Sequence, residues 1–250
     1  MNKTILITGA TSGFGEACAQ KFATAGGYNI IITGRRKEKL EALASSLPAT
    51  VLPLVFDVQD RTAVFAAIGG LPAEWKKIDI LVNNAGLALG RDLFEDASLD
   101  DWDTMIDTNV KGLLYVSKAV TPLMIDQKGG HVINIGSIAG VEVYEKGNGY
   151  CASKYAVDAI SKAMRIDLLK HQIKVTAIHP GAADTEFSNV RFKGDKAQAD
   201  KMYEGYTPLS AEDVAGTIYY CASLPPHVCI NEINITCTAQ ANSFYLFKKS

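Results

Sequence analysis

Residues 4–15 read Thr4-Ile5-Leu6-Ile7-Thr8-Gly9-Ala10-Thr11-Ser12-Gly13-Phe14-Gly15, and the fold turns on how this stretch is taken. Thr4–Ile7 is a short β-branched and apolar run, as a strand requires. It breaks into a turn with glycines at 9, 13 and 15, and the turn opens into a helix-forming stretch, Gly13–Ala25. A strand, a glycine turn and a helix start together make a place for a pyrophosphate. Glycine permits the sharp turn and close backbone approach, and the helix N-terminus offers free N–H groups to an anion. The spacing is not the commoner G-x-G-x-x-G, but the physical requirement is the same. A glycine-rich stretch alone is equally a tight turn; the strand directly before it favours dinucleotide binding.

Working outward, short apolar runs recur at Tyr28–Thr33, Val51–Phe56, Ile78–Val82, His131–Ile135, Lys174–His179 and Glu232–Thr236. All but the last are mostly apolar without strict alternation, the pattern of strands buried on both faces. Helix-length segments lie between them: Lys37–Ser46, Arg61–Ile68, Leu99–Asp126, Tyr150–His171 and Ala211–Ser223. Strand–helix alternation predicts an α/β fold, a doubly wound parallel sheet with helices on both faces. Ligands bind such sheets beyond the carboxyl ends of the strands. The unusual clusters fall there: Asp57, Asn83-Asn84-Ala85-Gly86, Gly136-Ser137 and Pro180-Gly181. No linker divides the chain, so one domain over 1–250 is expected. The polar region Phe187–Tyr206 marks 182–210 as a substrate-side lid segment, or else a solvated helix and loop.

Composition narrows the function. Among 250 residues, 25 are Lys or Arg and 27 are Asp or Glu, a net charge of −2. That gives no global electrostatic case for nucleic acid or an anionic membrane. No apolar run approaches the roughly 20 residues of a membrane span, and the N-terminus runs directly into a strand rather than a signal sequence. A cytoplasmic protein is the expectation. Cys18, Cys151, Cys221, Cys229 and Cys237 contain no Cys-x-x-Cys, and the four histidines are scattered. Free thiols and no metal site are expected.

After the second strand, dinucleotide folds place an acidic residue on the ribose hydroxyls, or an Arg where a 2′-phosphate is held. Here Thr33-Gly34-Arg35-Arg36 offers two guanidinium groups and no carboxylate, which predicts NADP over NAD. Tyr150 and Lys154 stand four apart at a helix start, on one face, so the ammonium is expected to lower the phenol pKa toward neutrality. Such a phenol is a general acid/base for a carbonyl/alcohol pair. Ser137 closes the preceding strand and can polarise the same oxygen. Asn109, inside Leu99–Asp126, is either a satisfied core amide or the anchor of a water relay.

Taken together, Thr8–Gly15, Asn83–Gly86, Asn109, Ser137, Tyr150/Lys154 and Pro180-Gly181 resemble the motif set of the short-chain dehydrogenases/reductases, in order and over nearly the whole chain. The resemblance implies a seven-stranded parallel sheet and a catalytic tetrad of Asn109, Ser137, Tyr150 and Lys154. Tyr150 would exchange the proton, Ser137 orient the substrate oxygen, Lys154 hold the nicotinamide ribose and depress Tyr150, and Asn109 support a water. Gly9, Ala10, Thr11, Ser12, Gly13 and Phe14 would cradle the phosphates. Asp57 and Val58 would meet the adenine, and Asn84, Ala85 and Gly86 would flank the ribose. Pro180, Gly181, Ala183 and Thr185 would lie beside the nicotinamide, with Ala183 where the family has Val.

Leu71–Trp75, Ile78–Gly90 and Thr185–Gly194 are similar to one group within that family. These are the bacterial and yeast NADP-dependent 3-hydroxy acid dehydrogenases, also described as serine or L-allo-threonine dehydrogenases and malonic semialdehyde reductases. This second resemblance implies NADP-linked interconversion of a small 3-hydroxy acid with its 3-oxo acid or semialdehyde, and a homotetramer. A carboxylate substrate needs a cation, and Arg191 and Lys193 are the nearest by position, Arg191 favoured for its forked geometry. A reductase of 3-oxoacyl thioesters, ketones or sugars would use the same scaffold. A non-catalytic dinucleotide sensor would not need Ser137, Tyr150 and Lys154.

Overall fold

The computed structural model describes residues 2–248, apart from the side chains at 199 and 200. The first half comprises β1 (Lys3–Ile7), α1 (Gly13–Ala25), β2 (Tyr28–Gly34), α2 (Lys37–Ser46), β3 (Thr50–Val55), α3 (Arg61–Gly69) and β4 (Ile80–Asn83). The second half comprises α4 (Leu99–Ile106), α5 (Leu113–Asp126), β5 (Gly130–Ile135), α6 (Asn148–Asp167), β6 (Ile173–Pro180), α7 (Glu186–Arg191), α8 (Lys196–Lys201), α9 (Ala211–Ser223) and β7 (Glu232–Ile235). The strands form one seven-stranded parallel sheet in the order β3-β2-β1-β4-β5-β6-β7. The chain leaves β1 toward β2 and β3, then returns across it to β4. The strand order therefore switches between β1 and β4, where a crevice opens beyond the carboxyl ends.

The absence of alternation in the strands has a direct cause. Ile5 and Ile7 pack with Phe22 and Ile218 on one face of the sheet, while Leu6 between them packs with Val116, Val120 and Met124 on the other. The same division separates Ile30 and Ile32 from Ile31, and Ile80 and Val82 from Leu81. Both faces are dry, so both residue parities must be apolar. α1 and α9 cover the first face, closed by the edge-on contact of Phe22 with Tyr219 at 5.2 Å between centroids. α3 and α5 cover the second.

One expected helix is interrupted. Leu99–Asp126 is α4 and α5 joined by a widened π-type turn, Asp107–Gly112. Two contacts hold it open. The Asn109 side chain is drawn out of the helix to the backbone of Leu87, and Gly112 lies so close to Val58 that a Cβ there would approach its Cγ2 to 2.7 Å. Such turns are rare and concentrate at functional sites. The polar region after β6 is neither a single helix nor a loop: it folds into α7 and α8. Among the described residues no helix is long and apolar enough to cross a membrane, no acidic, His and Cys cluster could hold a metal ion, and the five cysteines are free.

Candidate active site

The crevice at the β1/β4 switch is a cleft of about 310 Å³. Its walls carry Gly9, Thr11, Ser12, Gly13, Phe14, Arg35, Arg36, Asp57, Val58, Asn84, Ala85, Gly86, Tyr150, Lys154 and Thr185, fifteen positions scattered over the sequence. Ala10 is not among them. It is fully buried in the core, with its N–H donated to Thr33 at 2.9 Å. The glycine turn needs its glycines. Gly9 and Gly13 have φ of +65° and +54°, which residues with a Cβ adopt only rarely, and a Cβ on Gly9 would approach the Ala85 Cα to 2.9 Å. A Cβ on Gly15 would collide with the Gly9 carbonyl. Asn84 pins the turn from β4 by donating to the Thr8 and Gly9 carbonyls at 2.9 and 3.1 Å. Ser12 caps α1 in position but not with its side chain, so the first-turn N–H groups are left as donors to an anion. This narrow, backbone-lined cradle fits a dinucleotide pyrophosphate.

At the outer end of the cleft, Arg36 lies across the glycine turn. It donates to the Thr11 hydroxyl and carbonyl and to the Ser12 hydroxyl, at 2.9–3.1 Å. Its remaining nitrogen meets Glu186 of α7 at 3.0 Å. Arg35 pairs with Asp57 at 3.4 Å. The β2 end itself has no carboxylate, as its sequence reads, but Asp57 and Glu186 enter that corner from elsewhere.

At the inner end, α6 presents Tyr150 and Lys154, both buried. The expected pairing of the two differs in detail. The Lys154 ammonium donates to the Ile135 carbonyl at 3.0 Å and lies 5.9 Å from the centre of the Tyr150 ring, not on its hydroxyl. Burial pushes the phenol up from its ordinary range, reinforced by Tyr144 and only partly offset by the Ser137 hydroxyl and Arg191. Lys154 is drawn down to about 8, also by burial. The i, i+4 charge alone predicts a lowered phenol pKa, but desolvation is the larger effect here and acts the other way. Ser137 is held by the turn that follows it and by β6: its Oγ accepts from Ala139 N–H at 3.1 Å, and its carbonyl meets His179 Nδ1 at 3.2 Å. The Asn109 amide accepts from Leu87 N–H and donates to the Leu87 carbonyl and Ser153 hydroxyl, at 2.8–2.9 Å. These are the contacts of a satisfied core amide.

Beyond Tyr150 the cleft continues into a cavity of about 670 Å³, lined by Ser137, Tyr150, Pro180, Gly181, Ala183 and Thr185 and roofed by residues of α7 and α8. Arg191 lines it and is buried, with 6% of its surface exposed. The guanidinium stacks on Tyr144 and Tyr150, 5.7 and 5.5 Å from their ring centres, and donates to the Tyr144 hydroxyl at 3.1 Å and the Gly90 carbonyl at 3.3 Å. Among the described residues it has no carboxylate partner. Lys193 is different: it is exposed and tied to Asp101 at 2.8 Å, outside the cavity. Several lining residues carry no sequence motif. Tyr144, Tyr203 and Gln240 are brought in by long-range folding, and Phe187, with its ring 5.7 Å from Tyr150, by the start of α7.

The short chain dehydrogenase family model matches residues 3–196. The NADP-dependent 3-hydroxy acid dehydrogenase YdfG of Salmonella typhi is 48% identical over 238 residues, 95% of this chain and 96% of the relative. Sulfoacetaldehyde reductase 2 of Chromohalobacter salexigens is 46% identical over 248 residues, 98% of each. A solved closed form of serine dehydrogenase complexed with NADP+ superposes with a TM-score of 0.94 at 44% identity, covering 99% of this chain and all of the other. With the glycine cradle, Ser137 beside the buried Tyr150 and Lys154, and likeness along the whole chain all in agreement, this chain belongs to the short-chain dehydrogenase family.

Proposed function

We propose that the chain is an NADP-dependent oxidoreductase that interconverts a small 3-hydroxy acid and its 3-oxo acid or semialdehyde. The observation that carries the substrate class is Arg191. A buried cation with no carboxylate of its own, stacked against Tyr150, is costly to maintain and is suited to an anionic group on the substrate. Its planar fork matches a carboxylate, or equally a sulfonate. The names of the similar proteins, a 3-hydroxy acid dehydrogenase, a sulfoacetaldehyde reductase and a serine dehydrogenase, share a short chain with an acid group near an oxygen-bearing carbon.

The chain's own residues divide the work. The glycine cradle and the N-terminus of α1 hold the pyrophosphate, Arg36 and Arg35 the 2′-phosphate corner, and Asn84–Gly86 the wall behind the ribose. Bound NADPH supplies the hydride. Ser137 and Tyr150 receive the substrate oxygen, and Tyr150 delivers a proton to it as reduction proceeds, from the protonated state that burial favours. Lys154, still largely charged at pH 7, stabilises negative charge arising on that oxygen. Asn109 acts as a positioning residue, fixing Leu87 and α6 relative to each other. Residues 182–210 serve as the lid over the substrate, and Arg191 anchors the acid group beneath it. The same reading takes 1–250 as one domain, the assembly as a homotetramer, and the compartment as the cytoplasm.

The test is an absorbance assay at 340 nm with NADPH or NADP+ against malonic semialdehyde, sulfoacetaldehyde, 3-hydroxypropionate, L-serine, D-serine, L-allo-threonine and an acetoacetyl thioester. Turnover is expected with the short acids, and with NADP(H) well above NAD(H). Tyr150→Phe keeps the ring and is expected to lower kcat by at least about a hundredfold, with cofactor binding retained. Preference for the thioester, or full activity in the Phe variant, would refute the reading.

A further inference from the structure

Glu186 occupies an unexpected position. It is the first residue of α7, the helix that carries Phe187 and Arg191 into the substrate cavity, yet its side chain points to the opposite end of the cleft. One carboxylate oxygen meets Arg36 at 3.0 Å and the other meets Lys39 of α2 at 2.9 Å. Lys39, followed by Arg36, holds the Glu186 carboxyl below its usual range, so it is an anion at neutral pH. Every nitrogen of the Arg36 guanidinium is then engaged: two with Thr11 and Ser12 of the glycine turn, and the third with Glu186.

We propose that Glu186 is a specificity-determining residue for the cofactor, a carboxylate that competes with the 2′-phosphate for Arg36 and Lys39 and so tempers the NADP preference set by Arg35 and Arg36. This rests on the assignment of that corner to the 2′-phosphate. With Nε and Nη2 turned to the glycine turn, a phosphate oxygen can pair with Arg36 only by displacing Glu186 from Nη1 or by sharing that nitrogen with it. A phosphomonoester brings a charge of about −1.5 to −2 at pH 7, and placing it beside a fixed carboxylate adds like-charge repulsion to the loss of two ion pairs. NAD carries no such group and leaves the triad intact. Glu186 therefore acts against one cofactor and is indifferent to the other. The triad is solvent-accessible, with Glu186 and Arg36 each about 44% and 43% exposed, so the effect is modest in size and sensitive to salt.

Glu186→Gln keeps the size and a hydrogen-bonding oxygen for Lys39 and removes the charge. The measurement is isothermal calorimetry with two probes, adenosine 2′,5′-bisphosphate and 5′-AMP, on the full chain at low and high salt. Relative to the unaltered protein, the variant is expected to bind the bisphosphate about two- to fivefold tighter at low salt, with 5′-AMP unchanged and the gain shrinking as salt rises. The gain disappears when Arg36→Ala and Lys39→Ala are also present. Weaker or unchanged bisphosphate binding would overturn the proposal, by showing that Glu186 only orients Arg36 or does not touch the phosphate. Tightening of both probes alike would also overturn it. The unaltered protein separates the two readings: if it does not favour the bisphosphate over 5′-AMP, the assignment of the corner fails, whereas the variant comparison tests Glu186.

Discussion

His131 is the second residue of β5, at the end of the strand away from Ser137, and its Nε2 lies 2.8 Å from the Thr176 hydroxyl. That hydroxyl gives its only proton to the Ile230 carbonyl at 2.6 Å, so Nε2 must carry the ring proton and donate it. Nδ1 is left bare and, among the described residues, without a partner. Burial, with Lys174 and Lys3 adding repulsion, brings the His131 pKa down to about 3. The unfolded chain protonates this ring near 6.5 and the folded one does not. The stabilisation is thus complete above about pH 6.5 and is lost as pH falls from there toward 3, at up to about 1.4 kcal/mol per pH unit. Urea titrations at pH 7, 6 and 5 check this against His131→Gln. The stability advantage of the unaltered chain over the variant is expected to shrink steadily with acid; a constant difference would mean that His131 does not titrate on unfolding.

At the scale of elements, the β1–turn–α1 unit is fixed by backbone more than by side chains. Gly9→Ala places a Cβ on a residue with φ of +65° and against the Ala85 backbone. The left-handed conformation alone costs roughly 1–2 kcal/mol, and relief of the contact requires the cradle to widen. A drop in melting temperature together with at least about tenfold weaker NADPH binding is the expected outcome, read by thermal shift and fluorescence titration. Retained affinity would show that the turn does not approach the pyrophosphate closely. This unit was legible in the sequence because strand, glycines and helix are contiguous, and so were β2 to β6, each a mostly apolar run. The π-type turn at Asp107–Gly112 was not legible. Its cause is a side chain at Asn109 bonded to Leu87, 22 residues earlier, and a glycine at 112 packed on Val58, neither of which leaves a periodic trace. For the same reason Glu186 read only as the entry to a polar segment: its partners Arg36 and Lys39 are about 150 residues upstream.

Over the whole molecule, apolar side chains left in solvent are spread over many elements, and a few stand far out of the surface. Ile166 of α6 and Leu169 just beyond it are more than 70% exposed, as are Tyr245 and Phe247 near the C-terminus. Clusters of this kind suit association, and sedimentation of the purified protein is expected to give four times the chain mass; a monomer at micromolar concentration would refute the homotetramer. Which residues meet the substrate was only partly legible. Tyr150 and Ser137 announce themselves by position, whereas Arg191 and Lys193 could not be ranked by electrostatics without knowing that one is buried against two tyrosines and the other is spent on Asp101. On the proposed function, Arg191 reads an acid group beside the Tyr150 proton. The most direct measurement is kcat/KM of Arg191→Met with NADP+ for 3-hydroxypropionate and for its methyl ester, alongside the unaltered enzyme. Loss of a charge-assisted bond to a buried cation is worth about 1.5–3 kcal/mol, so a fall of about tenfold or more is predicted for the acid with little change for the ester; an equal fall for both substrates would rule out recognition of the acid group by Arg191 and make it a structural residue.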